Sequence, residues 1–227
     1  HPLPPSPVTA RHVIGQMLPD LAFGCLSQVL PGKVPAESAG SIWVLPFSDD
    51  GNTAQPFNVM NVGMGGVGAR PGKDGLSVTA FPSGVGSIPI EVTESDSPIV
   101  FWRKEYLPDS GGPGEFRGGL GQVIEVGSSN DQVFTISAAT FDRMKNPPRG
   151  REGGLPGKPG KAGLENGLCF KDKAVYRVPP EERLILELPG GGGLGDPKMR
   201  EAEKIQEDPE AGYVTHEGVL KDYGQGE

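Results

Sequence analysis

Glycine is gathered into dense runs in this chain, and that gathering limits the fold more than any other feature. From residue 109 the sequence reads Asp109-Ser110-Gly111-Gly112-Pro113-Gly114-Glu115-Phe116-Arg117-Gly118-Gly119-Leu120-Gly121, six glycines around one Asp, one Ser, one Glu and one Arg. A second run is Pro189-Gly190-Gly191-Gly192-Gly193-Leu194-Gly195-Asp196-Pro197, and a third, Met64-Gly65-Gly66-Val67-Gly68-Ala69-Arg70-Pro71-Gly72-Lys73-Asp74-Gly75, carries two cations. Glycine loses more backbone freedom on folding than any other residue, so runs like these belong at turns or where backbones approach too closely for side chains. With 36 glycines and 24 prolines, composition alone would match a low-complexity chain. The glycines alternate, however, with apolar β-type runs such as Ser41-Ile42-Trp43-Val44-Leu45. A folded, loop-rich β structure is expected, with a mainly aliphatic core because aromatic residues make up only 7%.

The hydrophobic period divides the chain. Ser6-Pro7 offers a helix N-cap followed by Pro at the first helical position, ahead of Val13, Ile14 and Met17. After Pro19-Asp20 a second helix is expected to carry Leu21, Ala22, Cys25, Leu26, Val29 and Leu30 until Pro31-Gly32, its apolar stripe facing the core. Short β-type runs follow at 41–47, 57–61, 76–80, 88–94, 99–107, 122–126, 132–139, 167–170, 174–178 and 184–188. No helix-length gaps separate them, which favours antiparallel or mixed sheets over parallel crossovers. Asp196 with Pro197, and later Thr215, are N-caps for short C-terminal helices. The expected class is α+β: β-rich antiparallel or mixed sheets with Gly/Pro-rich loops, an N-terminal helical pair and short C-terminal helices. The segments 1–35 (helical), 36–188 (β-rich) and 189–227 (Gly-rich turn and helices) read together as one domain, and the chain, opening on His1-Pro2-Leu3-Pro4-Pro5, as part of a longer polypeptide.

A net charge of -8 with a pI near 5.0, and no polybasic run, argue against nucleic acid or an anionic membrane as partner. No apolar run approaches the length of a bilayer span. Cys25 and Cys169 sit among apolar residues and read as buried free thiols, which fits a cytoplasmic protein. His1, His12 and His216 are too dispersed for a metal motif, so no metal ligand is assigned.

Two readings stand for each glycine run. In the functional one, backbone N–H groups of Gly111, Gly112, Gly118 and Gly119 cradle substrate or phosphate, with Asp109 and Ser110 beside them and Arg117 as a charged clamp. In the structural one, Asp109 caps N–H groups and Arg117 pairs with Asp109 or Glu105 where backbones cross. Gly190, Gly191, Gly192 and Gly193 form a secondary candidate anion loop ahead of a helix start, where Asp196 competes for the same positive end. Ser110 has no neighbouring base in the sequence to activate it, so no catalytic residue is named.

The run from Pro89-Ile90-Glu91 through Glu94-Ser95-Asp96-Ser97-Pro98 to the 109–121 block resembles the signature region of the hydantoinase B/oxoprolinase family. Pro147-Pro148-Arg149-Gly150 with Gly153-Gly154-Leu155-Pro156-Gly157, and then 189–197, match the next two family blocks in order. The resemblance implies the C-terminal part of a hydantoinase B-type subunit working with a hydantoinase A-type partner, separate or fused. The parent complex would open N-methylhydantoin, hydantoin or 5-oxoproline with ATP and a divalent metal, as a homo-oligomer of the heteromer. Acetone and acetophenone carboxylases are relatives, so the matching region of a carboxylase is an alternative, and a purely structural assembly module is another. The family's metal-binding His and Asp residues lie in the other half of the subunit, so this segment is expected to hold no cofactor and to be inactive alone.

Overall fold

The computed structural model describes residues 11–40, 42–53 and 55–224. Helix α1 (Arg11–Leu26) comes first, then β1 (Trp43–Asp49), β2 (Asn58–Gly63), α2 (Ile90–Ser95), β3 (Ile99–Tyr106), β4 (Gln122–Ser128), β5 (Phe134–Ser137), β6 (Lys161–Leu164), β7 (Val175–Val178) and β8 (Leu184–Glu187). A 3-10 turn (Pro197–Met199) and helices α3 (Ala202–Glu210) and α4 (His216–Tyr223) complete it. The strands form two four-stranded sheets, β2-β1-β5-β7 and β3-β4-β8-β6, in which every named pair is antiparallel.

Alternation explains how the sheets meet. Trp43, Leu45 and Phe47 point from β1 into the core while Val44, Pro46 and Ser48 between them stay half-exposed. The inward side chains of both sheets, including Phe134 and Ile136 from one and Ile99, Ile124, Leu184 and Leu186 from the other, merge into a single buried cluster. Phe47 packs edge-on against Phe101 and Phe134, with centroids 6.1 and 5.9 Å away. A bulge between Phe101 and Arg103 turns Trp102 outward, where Arg183 stacks over its ring.

The glycine runs do not pair as sheet. Along 190–194 successive N–H groups donate to the carbonyls of Lys158, Gly119, Glu37, Leu155 and Phe116, so the direction repeats every third residue. That is the rotation of a polyproline II strand, which has no internal hydrogen bonds and points its backbone groups outward at three residues per turn. Segments 34–39, 64–69, 110–120 and 148–158 surround the central strand and bond to it in turn. Packing is close enough to exclude side chains: a Cβ on Gly191 would stand 2.1 Å from the Val67 carbonyl oxygen, and one on Gly118 2.0 Å from that of Gly191.

Several expectations change. Residues 88–94, read as a strand, form α2, entered from Pro89 and with Glu91 in its first turn. Residues 76–80 form no strand: Ser77 and Val78 lie in a turn, Val78 at φ +45°, and the segment bonds to two different neighbours, Val78 N–H to the Leu120 carbonyl and Thr79 N–H to that of Gly65, so it belongs to the glycine bundle. Residues 167–170 contribute a bridge between Gly163 and Cys169, while Lys161–Leu164 makes the strand. The expected N-terminal helical pair is one helix from Arg11, with Pro19 inside it, and the Ser6-Pro7 cap lies outside the described residues. Its apolar stripe faces solvent instead of the core, and Cys25 and Cys169 are both exposed. At the C-terminal end, Asp196 Oδ1 accepts from Lys198 N–H at 3.0 Å, Thr215 Oγ1 accepts from Gly218 N–H at 3.0 Å, and Gly224 (φ +64°) closes α4.

Candidate functional site

The 109–121 residues come together at the junction between the glycine bundle and the C-terminal helices. Asp109, at φ +56°, accepts from Thr215 N–H at 2.7 Å and from the Thr215 hydroxyl at 2.9 Å, which anchors the start of α4. Ser110 is fully buried; its hydroxyl donates to the Leu107 carbonyl and accepts from Gly121 N–H at 2.8 Å. The N–H groups of Gly112, Gly118 and Gly119 donate to the carbonyls of Gly191, Gly112 and Val67, and those of Gly190 through Gly193 are likewise bonded to carbonyls. None of these seven donors is left for an anion.

Arg117 is buried and its partner is Asp208, 3.3 Å away, rather than Asp109 or Glu105. It also donates to the Gly118 carbonyl and lies over the Tyr213 ring. Arg200, with a fully buried side chain, bridges Asp74 (2.9 Å) and Asp208 (2.8 Å). Burial would raise the Asp74 pKa, but the hydrogen bond and charge of Arg200, helped by Arg117, hold it below the ordinary value. Burial likewise opposes the charge on Arg200, and its carboxylate partners outweigh that and push its pKa up. Desolvation raises the nearby Tyr223 phenol to about 12. Two cations and two anions thus cancel inside the protein and tie the bundle, through Asp74, to α3, through Asp208. Arg70 of the third glycine run donates to the Asp74 carbonyl within its own loop.

A second charged group has little trace in the sequence. Arg143 donates to Asp20 at 3.0 Å and to Glu37 at 3.1 Å, and Arg149 Nε donates to Glu37 at 2.7 Å. Asp20 titrates at about 6, because burial outweighs its bonds from Ser38 N–H and Arg143. Burial pushes Glu37 the same way, but the hydrogen bonds from Arg149 win and its pKa falls. Beside Arg143 opens a cleft of about 370 Å³ lined by Asp142, Lys145, Asn146, Lys171 and Lys173 among others, with Lys173 paired to Asp142. The one sequence signal for it is the clustering of charge at 142–145 and 171–173 between apolar residues.

Among the described residues no group of three or more His, Cys, Asp and Glu side chains is placed to hold a metal ion. No helix among them is long and apolar enough to cross a membrane. The seven glycine N–H groups named above are committed within the bundle, so they do not form a phosphate cradle.

Comparison with known proteins agrees with the family resemblance. The model of the hydantoinase B/oxoprolinase family matches residues 1–197. The chain belongs to this family. The B component of a candidate D-/L-hydantoinase from Pseudomonas sp. strain NS671 is 32% identical over 99% of this chain and 38% of the relative. The crystal structure of the ATP-dependent caprolactamase from Pseudomonas jessenii superposes with a TM-score of 0.75 at 25% identity, covering 88% of this chain and 36% of that one. Acetone carboxylase shares the fold, with a TM-score of 0.65 at 21% identity over 82% of this chain and 30% of its own. This member of the hydantoinase B/oxoprolinase family therefore spans well under half the length of the relatives it matches.

Proposed function

We propose that this chain is the C-terminal, β-rich region of a hydantoinase B-type subunit whose complex opens a cyclic amide with ATP. The observation that carries this is the likeness to an ATP-dependent caprolactamase along most of the chain, within a family whose model spans residues 1–197. Lactam, hydantoin and 5-oxoproline rings share an amide bond whose resonance makes direct attack by water slow. ATP supplies the driving force by phosphorylating a poor leaving or acceptor oxygen. The nucleotide site belongs to a hydantoinase A-type partner and the divalent metal to the rest of the subunit, and the heteromer assembles as a homo-oligomer.

No step of that chemistry falls to the residues of this chain. Asp109, Ser110 and Arg117 are each bonded inside the fold, and the N–H groups of Gly112, Gly118, Gly119 and Gly190 through Gly193 are bonded to carbonyls. The role that fits is a stiff scaffold holding the cleft-forming parts of the subunit in register. A carboxylase is the second reading, since acetone carboxylase carries the same fold.

The test is ADP release by the full-length subunit assembled with its hydantoinase A-type partner. Stimulation by hydantoin, N-methylhydantoin, 5-oxoproline or caprolactam, with the ring-opened acid as product, is the expected result. Stimulation by acetone that depends on bicarbonate would transfer the assignment to the carboxylases. Micromolar ATP binding by the 227-residue chain alone would contradict the scaffold role.

A further inference from the structure

Helix α1 is built inside out. On a helix of 3.6 residues per turn, Gln16, Asp20, Phe23 and Ser27 share one face, and Ile14, Leu18, Leu21 and Cys25 share the opposite one. The first face is turned to the body and held by polar contacts. Asp20 accepts from Ser38 N–H at 3.2 Å and pairs with Arg143. Arg151 donates to the carbonyls of Asp20 and Phe23 and to the Ser27 hydroxyl, placing a cation at the C-terminal end of the helix dipole. The other face is open: Ile14 is 61% exposed, Leu18 56%, Leu21 70%, and the turn that follows adds Val29 and Leu30.

Two features say what covers that face. The spacing 14, 18, 21, 25 alternates four and three residues, the repeat by which one helix seats its apolar side chains on another. From residue 13 to 32 the only charged side chain is Asp20, which points inward, and exposed Arg11, which continues the same spacing one turn earlier, places charge only at the N-terminal edge of the open face. An apolar face of this kind suits permanent packing, not transient contact. The curated relatives carry more than half of their length outside the region matched by this chain, which supplies an occupant within the same polypeptide.

We infer that the outward face of α1, continued by Val29 and Leu30, is the seam on which an apolar helix from the remainder of the hydantoinase B-type subunit packs. This rests on the proposal that the chain is part of such a subunit. Asp20 and Arg151 then act as the clamp that fixes the seam against the glycine bundle.

Exposed Cys25 reports on the seam, and exposed Cys169 serves as the reference. Maleimide labelling of both, read by peptide mass spectrometry, compares the 227-residue chain with the full-length subunit in the absence of its partner. The expected result is a fall of about tenfold or more in the Cys25-to-Cys169 labelling ratio on going to the full-length subunit. An unchanged ratio would overturn the inference, as would protection that arises only when the hydantoinase A-type subunit is added, or in the short chain with rising concentration. Leu18→Lys provides the second arm: it should lower the melting temperature of the full-length subunit and leave that of the short chain unchanged. Equal effects in both would also overturn it. A native reading frame confined to these residues would instead sink the subunit reading itself, so the two failures are separable.

Discussion

The glycine bundle makes the sharpest demand on the sequence, and Gly191→Ala tests it. The new methyl group would stand 2.1 Å from the Val67 carbonyl oxygen, 2.4 Å from its carbon and 2.7 Å from Gly68 N. Non-bonded carbon contacts settle near ~3.5–4.0 Å, so the strands must part by more than about 1 Å. All three obstacles are backbone, and no rotamer change relieves them. Parting the strands strains the bonds from Gly191 N–H to the Gly119 carbonyl (2.9 Å), from Gly112 N–H to the Gly191 carbonyl (2.8 Å) and from Ala69 N–H to the Gly192 carbonyl (2.9 Å). A buried backbone group left unpaired costs ~1–3 kcal/mol, so three such losses come to roughly 3–9 kcal/mol. Typical domain stability is ~5–15 kcal/mol, and the variant should be largely unfolded or insoluble. Trp43, fully buried and stacked on Phe141 with ring centroids 4.4 Å apart, gives a fluorescence signal for urea unfolding. Gly86→Ala is the control, because its added methyl meets nothing within 4 Å; it should stay within about 0.5 kcal/mol of the parent. If Gly191→Ala also melts within about 1 kcal/mol of the parent, the bundle as described is wrong.

Other outcomes follow from the charged groups. Arg200→Leu removes the cation shared by half-buried Asp74 and buried Asp208, leaving Asp208 with Arg117 alone, and should cost about 3 kcal/mol in the same urea assay; a loss below about 1 kcal/mol would contradict the network. Asp20 titrates at about 6 in the folded chain against an ordinary 3.8, so the native state holds its proton more tightly and stability falls as pH rises from about 4 through 6. The difference corresponds to an order of magnitude of about 3 kcal/mol, which Asp20→Asn should remove, bringing the urea midpoints at the two ends of that window together. Equal slopes in parent and variant would refute it. Glu37, held low, works in the opposite sense: its contribution is present above its ordinary 4.5 and is lost as pH falls below it.

Some of this architecture is legible in the residues alone. The apolar β-type runs of β1, β3, β4 and β8, and the Thr215 cap of α4, follow from local chemistry that the fold leaves intact. Residues 88–94 mislead because Ile88, Ile90 and Val92 alternate with Pro89, Glu91 and Thr93 at the period of a strand. Tertiary contacts decide otherwise, with Asn61 donating to the Thr93 hydroxyl and Phe101 N–H to Glu94. The helical period of α1 is visible, but a period identifies a face without saying which side the protein lies on. Here two polar residues, Gln16 and Asp20, face inward. Close backbone approach is legible in the glycine runs, yet a strand without side chains carries no sign of which run neighbours which. The pairing of Arg117 with Asp208 spans 91 residues and has no local trace either. Family membership is readable because three glycine blocks occur in order, and order survives where single motifs are ambiguous.

Under the proposed scaffold role, the charged groups of the glycine-rich region hold the fold and not the substrate. Turnover of Arg117→Ala, measured per assembled complex of full-length subunit and partner, tests it most directly. With Arg117 buried against Asp208 and Tyr213, the variant should assemble poorly, while each complex that does assemble turns over at the parent rate. Normal assembly with turnover reduced about 100-fold or more would show that Arg117 reaches the reacting groups, and would contradict the account.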